Sequence, residues 1–520
     1  MNRAEMLQRL RAEPAAWDVL VIGGGATGLG ASVDAAARGH RTALIELGDF
    51  AQATSSRSTK LIHGGIRYLQ QGDLPLVRES LRERGRLLRN APHLVRPLSF
   101  IVPNHAWWER PFYGIGLKLY DALAGGLGLG ASKHLSRDEV LARIPTLEPA
   151  GLRGGVLYHD AQFDDARLAV TLARTIADLN GVVVNYVKAA GLLKPNGRVG
   201  GVLARDVETG DEFELRARVV VNATGVFTDE IRRLDEKGAP DLLAVSQGAH
   251  IVLDKTFLPG ECALMSPHTA DGRVFFAIPW HGRTLIGTTD TPVSTVATEP
   301  RPLRSEIEFL LTHASRHLTR KPVAADVLSA FAGLRPLVKA SRNGRPTASL
   351  SRSHRVVVSR SGLVSIAGGK WTTYRQMAED TIDEAAAVGG LPPRPSPTAT
   401  LKLHGWRESA GPDAVFAEHG SDAEALRAFC DATPEGNTLL HPHLPYCAGE
   451  VIWAVRHEMA RTLADVLSRR LRALVLDARA SVAIAPQVAQ IMAKELGRDA
   501  EWENQQVTAF RELAATHLVK

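Results

Sequence analysis

The run Asp18-Val19-Leu20-Val21-Ile22-Gly23-Gly24-Gly25-Ala26-Thr27-Gly28, continued by an alanine-rich segment and Arg41-Thr42-Ala43-Leu44-Ile45-Glu46, limits what this chain can become. Val19 to Ile22 are consecutive apolar residues, the pattern of a parallel strand buried on both faces. Gly23, Gly25 and Gly28 follow at G-x-G-x-x-G spacing. In that pattern the first glycine makes a tight turn, the second lets backbone approach a pyrophosphate, and the third allows close helix–strand packing. Ala26 to Arg38 predicts the helix, with its N-terminal amides facing the pyrophosphate. Thr42 to Ile45 predicts the second strand. Glu46 ends it, where a carboxylate accepts both hydroxyls of an adenosine ribose and repels a 2′-phosphate, so NADP is disfavoured.

With 520 residues the chain exceeds a single core, and two or three domains are expected. The net charge of +6 suits anionic substrates or an anionic membrane surface; charge alone does not choose between these and nucleic acid. Cys262, Cys430 and Cys447 are widely spaced, which excludes a C-x-x-C redox pair or zinc knuckle and points to a reducing compartment. Met1 to Ala16 alternates in charge without an apolar run; it reads as a short amphipathic arm rather than a signal peptide. No uninterrupted apolar window approaches the roughly 18 residues that a membrane-spanning helix needs.

Between Thr54 and Leu69 the chain concentrates hydroxyls, cations and the pair Gly64-Gly65, which would bring backbone close to something flat or charged beside Lys60, His63 and Arg67. Leu74 to Leu88 predicts an amphipathic helix whose arginines, among them Arg78, Arg82, Arg84 and Arg86, are mostly its solvated face. Trp107 to Tyr120 interleaves aromatics with Arg110 and Lys118, the composition of a segment at a lipid interface and equally of a core helix. Arg218 to Asn222 predicts a strand entering Ala223-Thr224-Gly225, a second edge of backbone amides suited to a phosphate. Residues from Gly248 to Asp290 read as mostly β and are assigned to a separate cap; Arg335 is held between Gly333-Leu334 and Pro336. Gly368-Gly369-Lys370-Trp371-Thr372-Thr373-Tyr374-Arg375 opens another helix and forms a second anion-facing platform, without the glycine spacing of a Walker loop. Gly389 to Pro397 predicts a linker, and helical periodicity runs beyond it; His457-Glu458 lacks the second histidine of a zincin, and no metal site is expected.

On these segments the chain resembles the FAD-dependent glycerol-3-phosphate dehydrogenases, within the D-amino-acid-oxidase-like flavoproteins. The resemblance runs from Trp17 to the C-terminal helices and rests on Ser55 to Leu69, Asn222 to Gly225, Ile286 to Asp290, Gly333 to Leu337 and Gly368 to Arg375. It implies FAD, a small phosphorylated polyol substrate, a membrane quinone as acceptor and a helical C-terminal domain; no calcium-binding loops follow that domain. The fold class expected is α/β: a Rossmann-like FAD-binding domain, an inserted mostly β substrate cap and an all-α C-terminal domain. The boundaries expected are an arm at 1–16, an oxidoreductase region at 17–395 and helices at 396–520. Within the second region, 17–90, 155–235 and 350–395 bind FAD, and 91–154 and 236–349 form the cap.

Cofactor contacts are assigned to Gly23, Gly25, Gly28, Glu46, Ser58, Lys60, Leu61, Gly225, Gly369 and Thr372, with Ser58, Lys60 and Leu61 along the flavin. Substrate contacts are assigned to Arg67, Tyr68, His250, Asp290, Arg335, Arg352 and Lys370, because arginine suits bidentate phosphate contact and lysine can hold an alkoxide or ketone oxygen. The base for the hydroxyl proton is His250, with His63 second, and Arg335 and Lys370 complete the catalytic set. Localisation is expected to be cytoplasmic, peripheral on the inner face of the membrane, with a homodimer as one form and no nucleic acid partner. Two other readings are a glycerol-phosphate oxidase that reduces dioxygen, though its central insertion is missing, and a flavin-binding RNA-associated protein, for which no RNP signature is present.

Overall fold

The computed structural model describes residues 1–13, 15–65, 69, 72–267, 274–339, 353–408 and 415–519. The strand Trp17–Ile22 lies at the centre of an eight-stranded sheet, parallel to Thr42–Ile45 on one side and to Glu212–Asn222 on the other. Val364–Gly368 extends the parallel set, with Val221 opposite Val364, and His354–Val358 closes that edge antiparallel. Val19, Leu20, Val21 and Ile22 are all buried, as expected of a strand covered on both faces. The helices Ala26–Ala37 and Tyr374–Gly389 pack together on one of those faces; Gly30 admits the ring of Tyr374, whose edge would lie 2.8 Å from a Cβ there.

This register brings three chain reversals to one carboxyl edge. Ile22 pairs with both Ile45 and Asn222, so the turns after Ile22, Ile45 and Asn222 open side by side, with Gly368-Gly369 next to them. Ligands in open α/β sheets bind at such an edge.

A second sheet of ten strands is mostly antiparallel. Its long pair, Leu243–Asp254 and Val327–Val338, carries His250 and Arg335, and Arg283–Gly287 lies on the other side of Leu243–Asp254. Leu61–Ile62 and Gly154–Phe163 also join this sheet, so the chain re-enters the first domain only at the helix Asp165–Asp178. The expected boundary near residue 155 cuts through the strand Gly154–Phe163.

The N-terminal arm folds as the helix Arg3–Ala12, burying Met6 and Leu10 and binding Asp206 through Arg3 at 2.9 Å. The C-terminal region is largely helical, from Ala423–Ala432 to Ala500–Ala515, with one short hairpin of Leu439–His441 and Leu444–Cys447. It shares a hydrophobic cluster with the second sheet, including Val252, Phe331, Leu474 and Ala485, so the expected linker joins packed units. No helix among the described residues is long and apolar enough to cross a membrane.

Candidate active site

At the carboxyl edge of the first sheet a groove of about 470 Å³ runs between the Gly23–Thr27 turn, the Glu46–Ser55 loop, the Ala223–Phe227 turn and Gly368 to Trp371. Gly23 has φ +113°, and a Cβ there would lie 2.6 Å from the Ala223 oxygen. A Cβ on Gly28 would lie 1.9 Å from the Gly23 oxygen; Gly28 therefore acts behind the groove, by letting the helix close onto the turn. Gly25 lines the groove at the start of the helix Ala26–Ala37 and has no side chain to cap it; the Ser55 hydroxyl takes the Ala26 amide at 2.9 Å, and the helix N-terminus suits a bound anion. Glu46 sits at the strand end with its carboxylate held by the amides of Gly24 at 2.5 Å and Gly48 at 2.8 Å. Burial pushes its pKa up while those two amides pull it down.

The second platform meets the first through Trp371. Its indole N–H donates to the Ser55 oxygen at 2.8 Å, tying the Gly368-Gly369 turn to the Glu46–Ser55 loop. Gly369 has φ +78°, and a Cβ there would strike the Met377 sulfur at 2.3 Å, so only glycine makes the turn. Gly225, with φ +60°, lines the groove from the third turn. Lys370 also lines the groove, as does Pro336, the residue after Arg335.

The second sheet sets its residues in a row. His250 pairs with Gly287 on one side and Phe331 on the other, and its ring stacks on Phe331 at 4.9 Å. A Cβ on Gly287 would lie 2.3 Å from the imidazole, so this glycine makes the space the ring occupies. His250 is buried beneath Thr59, whose hydroxyl lies 2.9 Å from Nε2. Burial, with the nearby cations of Lys60 and Arg335, holds its pKa well below the ordinary imidazole range. The ring is therefore neutral. Arg335 donates to Gln247 and Thr289 oxygens, to the Thr288 hydroxyl at 3.0 Å and to Asp290 at 3.3 Å. Asp290 also accepts from Ser246.

Several residues stand elsewhere than the sequence suggests. Ser58 and Lys60 were expected along the flavin, but both side chains turn to Asp165: the Ser58 hydroxyl at 2.7 Å and the Lys60 ammonium at 2.6 Å. The reason is local. Asp165 is wholly buried at the first turn of its helix and needs donors, and Lys60 adopts φ +62°, which swings its side chain inward. Burial pulls the Lys60 ammonium down to about 7, with Asp165 pulling the other way. Leu61 is buried in strand pairing with Gln162, and Thr372 exchanges hydrogen bonds with the His63 backbone rather than lining the groove. Asp290 restrains Arg335 instead of presenting a free carboxylate. Arg84, read with its neighbours as part of a mostly solvated face, is fully buried and bonds Asp160 at 2.7 Å. Tyr120 bonds the same carboxylate and also receives the Gly64 amide at 2.8 Å, which anchors the glycine pair. Arg67, Tyr68 and Arg352 lie outside the described residues.

Sequence reasoning missed Thr59, Asp165, Asp160 and Asp49, each silent until folding supplies a partner across a long sequence gap. Asp164, His281 and Glu418 bring ligand atoms within 4.8 Å of one another. Arg472 already lies 3.2 Å from Asp164, and the two carboxylates raise the His281 pKa against its burial, so the group reads as an ion-paired histidine.

A family model described as FAD dependent oxidoreductase matches residues 18–375, and one described as the C-terminal domain of alpha-glycerophosphate oxidase matches 364–503. The chain is 40% identical to the mitochondrial glycerol-3-phosphate dehydrogenase of Homo sapiens over 95% of its length and 72% of the relative's. The chain belongs to the FAD-dependent glycerol-3-phosphate dehydrogenase family. Its similarity to the mitochondrial enzyme of that name from Arabidopsis thaliana is 39% over 96% of this chain and 86% of the relative. Among solved structures, the glycerol-3-phosphate dehydrogenase of Bacillus halodurans, complexed with FAD, superposes with a TM-score of 0.81 at 29% identity, covering 99% of this chain and 97% of that one. The L-alpha-glycerophosphate oxidase of Mycoplasma pneumoniae shares the fold, with a TM-score of 0.56 at 18% identity over 74% of this chain and 97% of that one. FAD is the cofactor, and the residues fit it: two glycine turns that a Cβ would obstruct, Gly23 and Gly369, leave backbone open along the groove.

Proposed function

We propose that this protein oxidises sn-glycerol 3-phosphate to dihydroxyacetone phosphate and that a membrane quinone regenerates it. The reading rests on one juxtaposition: Lys370 and Pro336 both line the dinucleotide groove, and Pro336 follows Arg335 on the strand that pairs with the one carrying His250. The 40% identity to enzymes of that name supports the choice of substrate. When bound, FAD supplies the hydride acceptor. The chain must then hold the phosphate, position the secondary alcohol and take its proton.

Arg335 and Lys370 are the described cations placed for the phosphate and the reacting oxygen, with Arg67, Tyr68 and Arg352 assigned to the same role. Arg335 cannot swing freely, because Thr288, Thr289 and Asp290 hold its guanidinium from one side. A guanidinium fixed before the ligand arrives costs less ordering on binding. His250 takes the hydroxyl proton by way of Thr59, since the Thr59 hydroxyl covers Nε2. Burial and the nearby cations keep the ring unprotonated, which leaves a lone pair to accept a proton while weakening it as a base. Phe331 and Gly287 fix the ring plane, which preserves the orientation that proton transfer needs.

The helix Glu109–Ala124 supports contact with a membrane at the cytoplasmic face. Trp107, Trp108, Phe112, Ile115 and Leu119 are exposed, while Tyr113, Leu117 and Tyr120 face the core. The segment is compatible with both readings of its composition: one face packs in the core and the other is exposed, as a lipid interface would require. The acceptor is tested by supplying glycerol 3-phosphate with a soluble quinone analogue in air. Quinone reduction without matching peroxide is expected; stoichiometric peroxide would assign the protein to the oxidases, whose C-terminal domain model it matches.

A further inference from the structure

The loop from Glu46 to Ser56 forms one wall of the cofactor groove, through Glu46, Gly48, Ala51 and Thr54. Its other side faces the C-terminal region. Asp49, wholly buried behind the wall, receives Arg469 Nε at 2.5 Å and two bonds from Arg470 at 2.8 and 2.9 Å. At the far end of the loop, Arg472 donates to the Ser56 oxygen at 3.2 Å and to Asp165 at 2.9 Å. Three cations from one short segment thus hold both ends of the wall from behind.

The segment's backbone departs from a regular helix. Asp465–Arg470 instead forms a wide π-helical turn, a feature that clusters at functional positions. Arg472 has φ +62°, an uncommon conformation for a residue with a side chain, and this turns the third guanidinium back toward Asp165. Each arginine is further fixed: Arg469 by Asp465 at 2.7 Å, Arg470 by the Glu458 oxygen at 2.8 Å, Arg472 by the Ser468 oxygen at 2.9 Å. Buried ion pairs are a poor source of net stability compared with apolar packing, whereas they do fix geometry.

We propose that Arg469, Arg470 and Arg472 form a clamp by which the C-terminal region sets the position of the Glu46–Ser56 wall and so governs how firmly FAD is retained. Glu46 hangs on this wall. Its carboxylate accepts the amide of Gly24 from the neighbouring turn and that of Gly48 within the wall, and Tyr186, whose amide donates to the Gly48 oxygen at 3.0 Å, also donates through its hydroxyl to Asp465 at 2.7 Å. The clamp residues touch neither the groove nor the second sheet's row of His250 and Gly287, so they are positioning residues, not catalytic ones.

The test uses full-length holoenzyme and follows FAD release by recovery of free-flavin fluorescence, with the melting temperature recorded alongside. Arg470→Gln and Asp49→Asn are each expected to speed release about tenfold, and the double variant to add less than about a further threefold, because both remove one coupling. Arg174→Gln breaks a different bridge between the same two regions, to Asp422 at 2.6 Å, and Arg174 bonds neither a wall residue nor Arg469, Arg470 or Arg472. It is expected to leave release within about twofold of the parent whatever it does to the melting temperature. Release unchanged in Arg470→Gln, or equally fast in Arg174→Gln, would overturn the clamp. If Arg470→Gln yields no soluble holoenzyme, Arg470→Lys reads the same quantity: intermediate release supports the proposal and parental release contradicts it.

Discussion

A histidine on a strand is usually packing, and His250 shows how little separates packing from chemistry. Its ring is stacked on Phe331 and buried, as a core residue would be, yet its Nε2 lies 2.9 Å from the Thr59 hydroxyl. If the proton route through Thr59 operates, His250→Asn and Thr59→Val each slow flavin reduction in single turnover by at least roughly a hundredfold, and the double variant is little slower than either single. Parental rates in both would remove the pair from the mechanism. Because burial holds the imidazole pKa far below its usual value, its base form persists through neutrality. The reduction rate is therefore expected to show no histidine limb between about pH 6 and 8. At this scale the sequence was legible where the backbone itself acts. Gly23, Gly25, Gly225 and Gly369 all line the groove, since a glycine at a strand end announces its own geometry. It was not legible where a side chain chooses between two partners. Ser58 and Lys60 stand within a segment rich in hydroxyls and cations, and only the fold reveals that Asp165, 105 positions from Lys60, claims them.

Elements were readable to the extent that local pattern determines them. The strand Trp17–Ile22, the helix Ala26–Ala37 and the strand Thr42–Ile45 follow from apolar runs and glycine spacing. The hairpin Leu439–Cys447, broken by Pro442 and Pro445, and the π-helical turn did not, because their form answers to tertiary partners. One such departure titrates. Glu450 caps the helix Ala448–His457 by accepting the Cys447 amide at 2.8 Å, and burial raises its pKa to about 7. The sign follows from the two states. Between the ordinary carboxyl value of 4.5 and about 7 the folded form retains a proton the unfolded chain has released, so this group's contribution falls as pH rises through that window and stays low above it. Glu450→Gln keeps the acceptor and removes the buried charge. Its stability gain should be near zero below the window and reach about 2 kcal/mol above it. Melting temperatures at both ends check this; an equal gain at both would mean the charge is not what matters.

Across the whole molecule, two sheets and a helical region meet at one groove, and each contributes what the others lack. The first sheet supplies the amide edges, the second the His250–Arg335 row, and the C-terminal region the arginines behind the wall. The outward face of the helix Glu109–Ala124 lies apart from all three functions, with Ile115 71% exposed. Its role is separable: Phe112→Ser combined with Ile115→Ser should reduce cosedimentation with anionic vesicles about tenfold while leaving flavin reduction in solution unchanged. Undiminished vesicle binding would place the contact elsewhere. The division of labour was visible in outline, because the change from α/β to mostly β composition near Gly248 marks a new layer. Its exact seam was not: Gly154–Phe163 looks alike whether it pairs with the first sheet or the second.

The central claim is that a phosphorylated alcohol held beside Arg335 and Lys370 delivers hydride to FAD lying in the groove. Anaerobic titration of the purified holoenzyme with glycerol 3-phosphate tests it without any acceptor. The account predicts that the oxidised-flavin absorbance disappears in proportion to the substrate added and returns when a quinone analogue is supplied. Flavin that stays oxidised under saturating glycerol 3-phosphate would contradict it.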